Sequence, residues 1–227
     1  RAVSEYTAYL QKLAGRLSHE LKTPLAITRS SLDNLGSQNL DDDARRYLER
    51  AREGLDRQAA IVRAMSEASR LEAAIEASEW LEVDLGDVLE TCVAGYRGLY
   101  PGRSIELDLP AAPCRQNCAP DLLAQALDKL VDNAVSLTGP EETVSVRLER
   151  EDGACCICVR NTGTRLPDVL PEQLFDSLVS MREKGGGRHL GLGLHIVRLV
   201  AEAHGGHASA RNLENGQGVE FRMRLGA

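Results

Sequence analysis

Aromatic residues are scarce in this chain, only 4% of 227 residues, with two phenylalanines and one tryptophan. An aromatic core is therefore excluded, and Leu, Ala and Val must do the packing. No run approaches the roughly 18 apolar residues that a membrane-spanning helix needs, and no signal-peptide pattern is present. Lys and Arg are outnumbered by Asp and Glu, 27 to 34, for a formal charge of -7. That balance argues against a nucleic-acid binder, which needs clustered positive charge. Proline is nearly missing from residues 1 to 78, where Pro24 stands alone. What remains is a 43% hydrophobic chain with enough apolar surface to fold. It opens at Arg1, which reads as a piece of a longer protein.

Residues 1 to 78 read as two helices. Leu10, Leu13, Leu17, Leu21 and Leu25 recur at steps of three and four, with Leu32 and Leu35 extending the stripe. GSQNLDDD at 36 to 43 breaks it, and Asp41 to Asp43 offer N-caps for a second helix. There Leu48, Leu55 and Val62 are seven apart, with Ala51 and Met65 completing a heptad seam. A hairpin of this kind leaves apolar surface wet. Dimerisation into a four-helix bundle buries it, as does docking on the rest of the chain.

The texture changes near residue 79. WLEVDL and SIELDL alternate like strands around a helical GDVLETCVAGYRGLY. PDLLAQALDKLVDNAVSL is helical, with Pro120 in its first turn. TVSVRLER and ACCICVR flank the turn Asp152-Gly153. An irregular Gly-rich stretch covers 161 to 190, GLGLHIVRLVAEAH is a helix closed by Gly205-Gly206, and HASARNLE and VEFRMRL form a last hairpin. Strands and helices without strict alternation predict an α+β sandwich. Of the six cysteines, Cys155, Cys156 and Cys158 lie in a strand as small hydrophobes. Cys114 and Cys118 could be a metal half-site or a disulfide; no second ligand pair accompanies them, which argues against a metal, and reduced thiols, as in a cytosolic chain, are the expected state.

Three stretches carry chemistry. In RLSHELKTPL, His19 is a packed residue, a metal ligand or a nucleophile. Beside it Glu20 could take a proton from one imidazole nitrogen, leaving the other nucleophilic. Pro24 removes the amide that would bond to the Glu20 carbonyl, which predicts a loosened helix there. In LDKLVDNAVSL, Asn133 could offer an oxygen to Mg2+. In VRNTGTRLP and GGGRHLGLGL, glycines after a strand and at a helix start let backbone amides approach phosphates. Arg182, Lys184 and Arg188 sit in the stretch before that helix, as in a lid over a nucleotide.

Together these stretches resemble the two-domain core of bacterial sensor histidine kinases, over nearly the whole chain and in the right order. SHELKTPL resembles the phosphoacceptor H-box, DKLVDNA the N-box, NTGTR the G1 box, Leu174-Phe175-Asp176 an F-box remnant and GLGL the G2 box. The resemblance implies a helical hairpin forming a dimeric four-helix bundle at 1–78, for dimerisation and phosphotransfer. It implies an α/β sandwich of the Bergerat (GHKL) ATP-binding type at 79–227. On it His19 attacks the γ-phosphate of ATP, Glu20 orients or deprotonates it, and Thr23 positions water to dephosphorylate a partner. Asn133 binds Mg2+. Lys129, Asn161, Gly163, Arg182, Lys184, Gly191, Leu192, Gly193 and Leu194 form the nucleotide site. The implied partners are a response-regulator receiver domain and a second copy of the chain, with no nucleic acid. The implied location is the cytoplasmic portion of an inner-membrane sensor, the membrane being reached only through an upstream segment.

The sequence departs from that family at three places. Lys129 stands where the N-box begins with Asn, and Ser136 and Leu137 replace a basic residue and an aromatic. Asn161 replaces the Asp that accepts a hydrogen bond from the adenine amino group, and Arg165 replaces a glycine. A neutral acceptor is weaker than a carboxylate, by roughly 1 kcal/mol or about tenfold in affinity. The alternative function is therefore a nucleotide-impaired homologue acting as a response-regulator phosphatase or scaffold. A clamp ATPase of the Hsp90 type fits poorly, because Lys129 stands where those enzymes carry their water-activating Glu.

Overall fold

The computed structural model describes residues 2–139, 141–163, 165–166, 174–175, 193–213 and 218–226; the side chains of 2–16, 19, 64 and 68 are outside the description. The chain divides into two compact units, Arg1–Ala73 and Ala74–Ala227, a division that falls inside a helix and before the residue-78 boundary read from the sequence.

The first unit is a helical hairpin of α1 (Ala2–Gly36) and α2 (Asp42–Ala77). Asp41 caps α2, its carboxylate accepting the Ala44 amide at 2.7 Å, and Asp42 and Asp43 lie in the first turn, where the helix dipole favours negative charge. The heptad seam is half realised: Leu48, Leu55 and Val62 are buried, whereas Met65 is exposed. On α1, Leu17, Leu21 and Leu35 are exposed as well, and the side chains of Leu10 and Leu13 are outside the described residues. Helix α1 continues through Pro24, whose carbonyl accepts the Thr28 hydroxyl at 2.9 Å. Arg29–Asp56 and Arg52–Asp33 ion pairs link the two helices; exposed as they are, each contributes about 1 kcal/mol at most.

The second unit holds β1 (Leu81–Asp84), α3 (Leu85–Leu99), β2 (Ser104–Asp108), β3 (Arg115–Cys118), α4 (Pro120–Leu137), β4 (Thr143–Glu151), β5 (Ala154–Thr162), α5 (Gly193–Ala203), β6 (His207–Asn212) and β7 (Gly218–Arg224). A five-stranded sheet runs β2-β4-β5-β7-β6, with β2 parallel to β4 and the other pairs antiparallel. β1 and β3 form a separate two-stranded ribbon. Asp152 (φ 49°) and Gly153 (φ 84°) make the tight β4–β5 turn, which needs two left-handed residues.

Aliphatic packing dominates, as the scarcity of aromatics requires. Leu122, Leu123, Leu127, Leu130 and Val131 on α4, and Ile196, Val197 and Val200 on α5, are buried. So are the alternate residues Val144, Val146, Leu148, Ile157, Val159, Phe221 and Met223 of the sheet. The intervening residues carry a charged network. Glu220, wholly buried, accepts from Arg160 and Arg211 (2.7 Å for the latter), with Arg222 at 3.6 Å. Burial pushes its carboxyl up, but hydrogen bonds from Arg160 and Arg211 more than offset this and hold it below the usual range.

One expectation is corrected. Cys114 is not a free thiol but is disulfide-bonded to Cys155, 41 residues away. The partner is a strand residue, not Cys118, because the chain entering β3 runs within 6.5 Å of β5, Cα to Cα. Cys92, Cys118, Cys156 and Cys158 are free. Strand β3 itself was not visible in the sequence, since RQNC shows no apolar alternation.

His204 joins α5 to α4. Its Nδ1–H donates to the Val200 carbonyl at 2.7 Å, and its Nε2 accepts the amide of Ala119, the N-cap of α4, at 3.1 Å. Burial lowers its pKa, against a smaller opposing contribution from the Val200 bond. Protonation would set two donors against each other. The unfolded chain binds a proton near pH 6.5 that the folded chain excludes, so stability is lost as pH falls through that value. Thermal melts should show the melting temperature falling from pH 7.5 to 5.5. His204→Leu should cost about 1–3 kcal/mol at pH 7.5 through the unsatisfied Ala119 amide, and should flatten that slope.

Candidate functional site

Helix α4 buries its leucine face, which leaves its polar residues on the flank and outer side. Lys129 and Asn133, one turn apart, are half-buried on the flank of the leucine face. Tyr96 of α3 and Tyr100, its C-cap, hold that helix: the Tyr96 hydroxyl donates to Asp128 and the Tyr100 hydroxyl to Asp132. Burial, then the bond to its carboxylate, raises both phenol pKa values, that of Tyr100 to about 12. Lys129 meets the first residue of α5, since a methyl built on Gly193 would lie 3.5 Å from Lys129 Cβ. The N-box helix and the GLGL helix start are thereby brought together, with a lysine between them. Leu194 follows, half-buried, in the first turn of α5.

Asn161 lies near the end of β5 between Val144 of β4 and Val219 of β7. It is 1% exposed, and its Oδ1 has no hydrogen-bond partner among the described residues. Its Nδ2 makes only a 3.3 Å contact to the neighbouring Thr162 carbonyl. A buried acceptor without a donor costs about 1–3 kcal/mol. Gly163 follows at φ 100°, a backbone few other residues adopt. The Glu142 carboxylate lies against it, 2.5–2.9 Å from where a Cβ would be, and also accepts the Gly139 amide. Beyond the turn, Asn212 of β6 clamps Leu166 at both ends, accepting its amide at 2.8 Å and donating to its carbonyl at 3.3 Å. Leu174 and Phe175 are buried, and the Phe175 carbonyl lies 3.2 Å from Nδ1 of His195 on α5.

Not every residue singled out in the sequence is placed. Arg182, Lys184, Gly191 and Leu192 lie outside the described residues. In the first unit His19 occupies α1, but its side chain is outside the description, while Glu20 and Thr23 are exposed on the same helix. Among the described residues no three His, Cys, Asp or Glu side chains form a metal cage. A Mg2+ held largely by substrate phosphates and water needs none, and Asn133 fits as a single oxygen donor. Glu142, Asn212 and His195 were missed in the sequence. They act through loop contacts across sequence separations that no periodicity reports.

Residues 9–74 match the family described as the His Kinase A (phospho-acceptor) domain. Residues 118–227 match the histidine kinase-, DNA gyrase B- and HSP90-like ATPase family. The chain belongs to the sensor histidine kinases. This kinase core is 28% identical over 96% of its length to the sensor protein ChvG of Rhizobium meliloti, covering 40% of that protein. It is 29% identical to CreC of Escherichia coli (96% and 45%) and 30% identical to CutS of Streptomyces coelicolor (95% and 52%). The chain thus spans about half the length, or less, of these relatives. Among solved structures, full-length ShkA in complex with AMPPNP is similar at 26% identity and a TM-score of 0.61, over 94% of this chain and 45% of that one. Histidine kinase ThkA in complex with the response regulator TrrA shares the fold at 20% identity and a TM-score of 0.62, over 98% and 63%.

Gly163 gives a direct test of this turn. Gly163→Ala forces a left-handed backbone and drives a methyl into the Glu142 carboxylate. It should weaken adenine-nucleotide binding at least tenfold by calorimetry and cost about 1–3 kcal/mol of stability. Glu142→Ala combined with it should restore only part of either, because the backbone strain remains.

Proposed function

We propose that the chain is the ATP-dependent autophosphorylating core of a two-component sensor, and that His19 is its phosphoacceptor. The observation that carries this is the pairing, in one chain, of a phospho-acceptor hairpin bearing SHELKTPL with an ATPase unit whose buried Asn161 oxygen has no donor among the described residues. The adenine amino group is such a donor. The complex of ShkA with AMPPNP supports a nucleotide in this fold.

An imidazole nitrogen of His19 forms a bond to the γ-phosphorus as the bond to the β,γ-bridging oxygen breaks, and ADP leaves. Glu20 takes or orients the imidazole proton. Catalysis is positioning and charge neutralisation, as in other phosphoryl transfers. Lys129, set against the start of α5, supplies positive charge toward the phosphates. The α5 N-terminus adds the positive end of its dipole. Asn133 would hold Mg2+, which neutralises phosphate charge when bound. Gly163, Gly193 and Leu194 shape the pocket, joined by Arg182, Lys184, Gly191 and Leu192.

The phosphoryl group then passes to an aspartate of a receiver domain. The hairpin supports such a partner: a cleft of about 430 Å³ is lined by Lys22, Arg29, Arg63 and Arg70 against a single carboxylate, Glu67, among small and apolar residues. Its positive lining suits an acidic surface. Thr23, four residues after His19, is exposed and suited to place water for the reverse dephosphorylation. Exposed Leu17, Leu21 and Leu35 support a homodimeric four-helix bundle. No helix among the described residues is long and apolar enough to cross a membrane. The likeness to the sensor proteins ChvG and CreC supports the chain acting as the cytoplasmic part of a membrane sensor.

Incubation with γ-labelled ATP should give an acid-labile, base-stable label that His19→Gln abolishes; label retained on that variant would overturn the assignment. Asn161→Asp restores a charged acceptor and should tighten ATP binding about tenfold by calorimetry. No binding by the native chain at millimolar ATP would favour a phosphatase or scaffold instead.

A further inference from the structure

Strand β5 carries Cys156-Ile157-Cys158. Alternation sends Ile157 into the apolar core and both cysteines to the other face of the sheet, the face of the charged network. Their sulfurs are 3.7 Å apart. Glu149 of β4 and Arg224 of β7 lie opposite Cys156; Arg147 and Arg222 lie opposite Cys158. The contacts that matter run diagonally. The Arg222 guanidinium is 3.6 Å from the Cys156 sulfur, and a Glu149 carboxylate oxygen is 3.8 Å from the Cys158 sulfur. Arg222 is held in place by Glu151 at 2.5 Å, Glu149 at 3.5 Å and Glu220 at 3.6 Å.

A cation beside one sulfur and a carboxylate beside the other polarise the pair in one sense. Negative charge collects on Cys156, and the proton stays on Cys158. The Cys158 thiol donating to it brings the Cys156 thiol down to about 7, burial opposing and Arg222 assisting. The same bond, with burial, pushes the Cys158 thiol up. Arg160 and Glu220 complete the charges on this face. Cys155 does not compete, because it is bonded to Cys114. Cys156 and Cys158 are themselves buried, 1% and 0% exposed, so a small reagent reaches the sulfurs only when Arg222 and Glu149, which cover them and are 15% and 25% exposed, swing aside.

The geometry points to Cys156 and Cys158 as a reversible dithiol site for small hydroperoxides, with Cys156 the nucleophile and Cys158 the resolving thiol. The Cys156 thiolate attacks one peroxide oxygen, the O–O bond breaks, and the alcohol or water leaves with a proton, giving a sulfenic acid. Cys158 then displaces the sulfenic oxygen as water, forming the disulfide. Two thiols are oxidised and one peroxide is reduced. Two residues of strand separate the Cα atoms by about 6.7 Å, near the far limit of disulfide reach. The bond is therefore readily returned to the dithiol by a small reductant.

The test treats the full chain with stoichiometric hydrogen peroxide, alkylates the remaining thiols and maps peptides by mass. The peptide holding Cys156 and Cys158, joined to the Cys114 peptide through Cys155, should lose two hydrogens; dithiothreitol should release the Cys114 peptide and return four hydrogens in all, two of them from the new bond. The rate should fall as pH drops, half-maximal near 7. Cys158→Ser should stop at a sulfenic acid on Cys156 that dimedone traps. Cys156→Ala should slow oxidation of this peptide more than tenfold, and Arg222→Gln about tenfold at pH 7. Oxidation of this pair only in urea, sulfenic acid forming first on Cys158 or Cys92, or a rate independent of pH from 6 to 8 would each overturn the proposal. The pH profile of the native chain decides even if a variant fails to fold.

Discussion

The position of α4 against the five-stranded sheet is the constraint on which the ATP-binding unit depends. Its leucines fill the core, so burial fixes its rotation about its own axis. Its start is tied to α5 through His204, and its outer flank to α3 through Tyr96–Asp128 and Tyr100–Asp132. Lys129 and Asn133 inherit that fixed geometry. They sit one turn apart on a helix that cannot roll without exposing Leu127 and Leu130 or breaking buried hydrogen bonds.

The second face of the sheet is organised differently. There opposite charges meet in a continuous series, from Asp108 through Arg147, Glu149 and Arg160 to Glu220 and its arginines. A fully buried carboxylate is tolerable because several guanidiniums neutralise it, and removing one partner leaves an uncompensated charge. The sheet thus has one face governed by packing and one by ionic satisfaction, and β5 belongs to both. Its core-facing residues include Asn161 before the Gly163 turn, and its opposite residues include two thiols within that ionic lattice.

Much of this was legible in the sequence, for identifiable reasons. The hairpin, the Asp41 cap and the β4–β5 turn each follow from local periodicity or from residues with special backbone preferences. The aliphatic core followed from the lack of aromatics. The N-box and G2 elements were legible as motifs, and the contact between Lys129 and Gly193 places them side by side. What could not be read were consequences of long-range approach. Strand β3 lacks an apolar pattern because it pairs only with short β1. The Cys114–Cys155 bond joins residues that nothing local connects, and compartment-based reasoning about thiols pointed the other way. Glu142 and Asn212 brace the turn after β5 from loops and strands distant in sequence. The seam on α2 was legible, but which of its residues are covered was not, since Met65 remains exposed where Leu55 and Val62 do not.

The ribbon of β1 and β3 bears on how the ATP-binding unit is built into longer chains. Gln116 of β3 donates to the Gly226 carbonyl at 2.6 Å, and it pairs with Val83 of β1, while Gly226 also bonds to His204. The entry and exit of the unit therefore meet at one corner. A module whose two ends are neighbours can be spliced behind different helical hairpins, or ahead of further segments, without threading the chain through its own core. Swapping its neighbours changes what it is attached to and leaves its interior untouched.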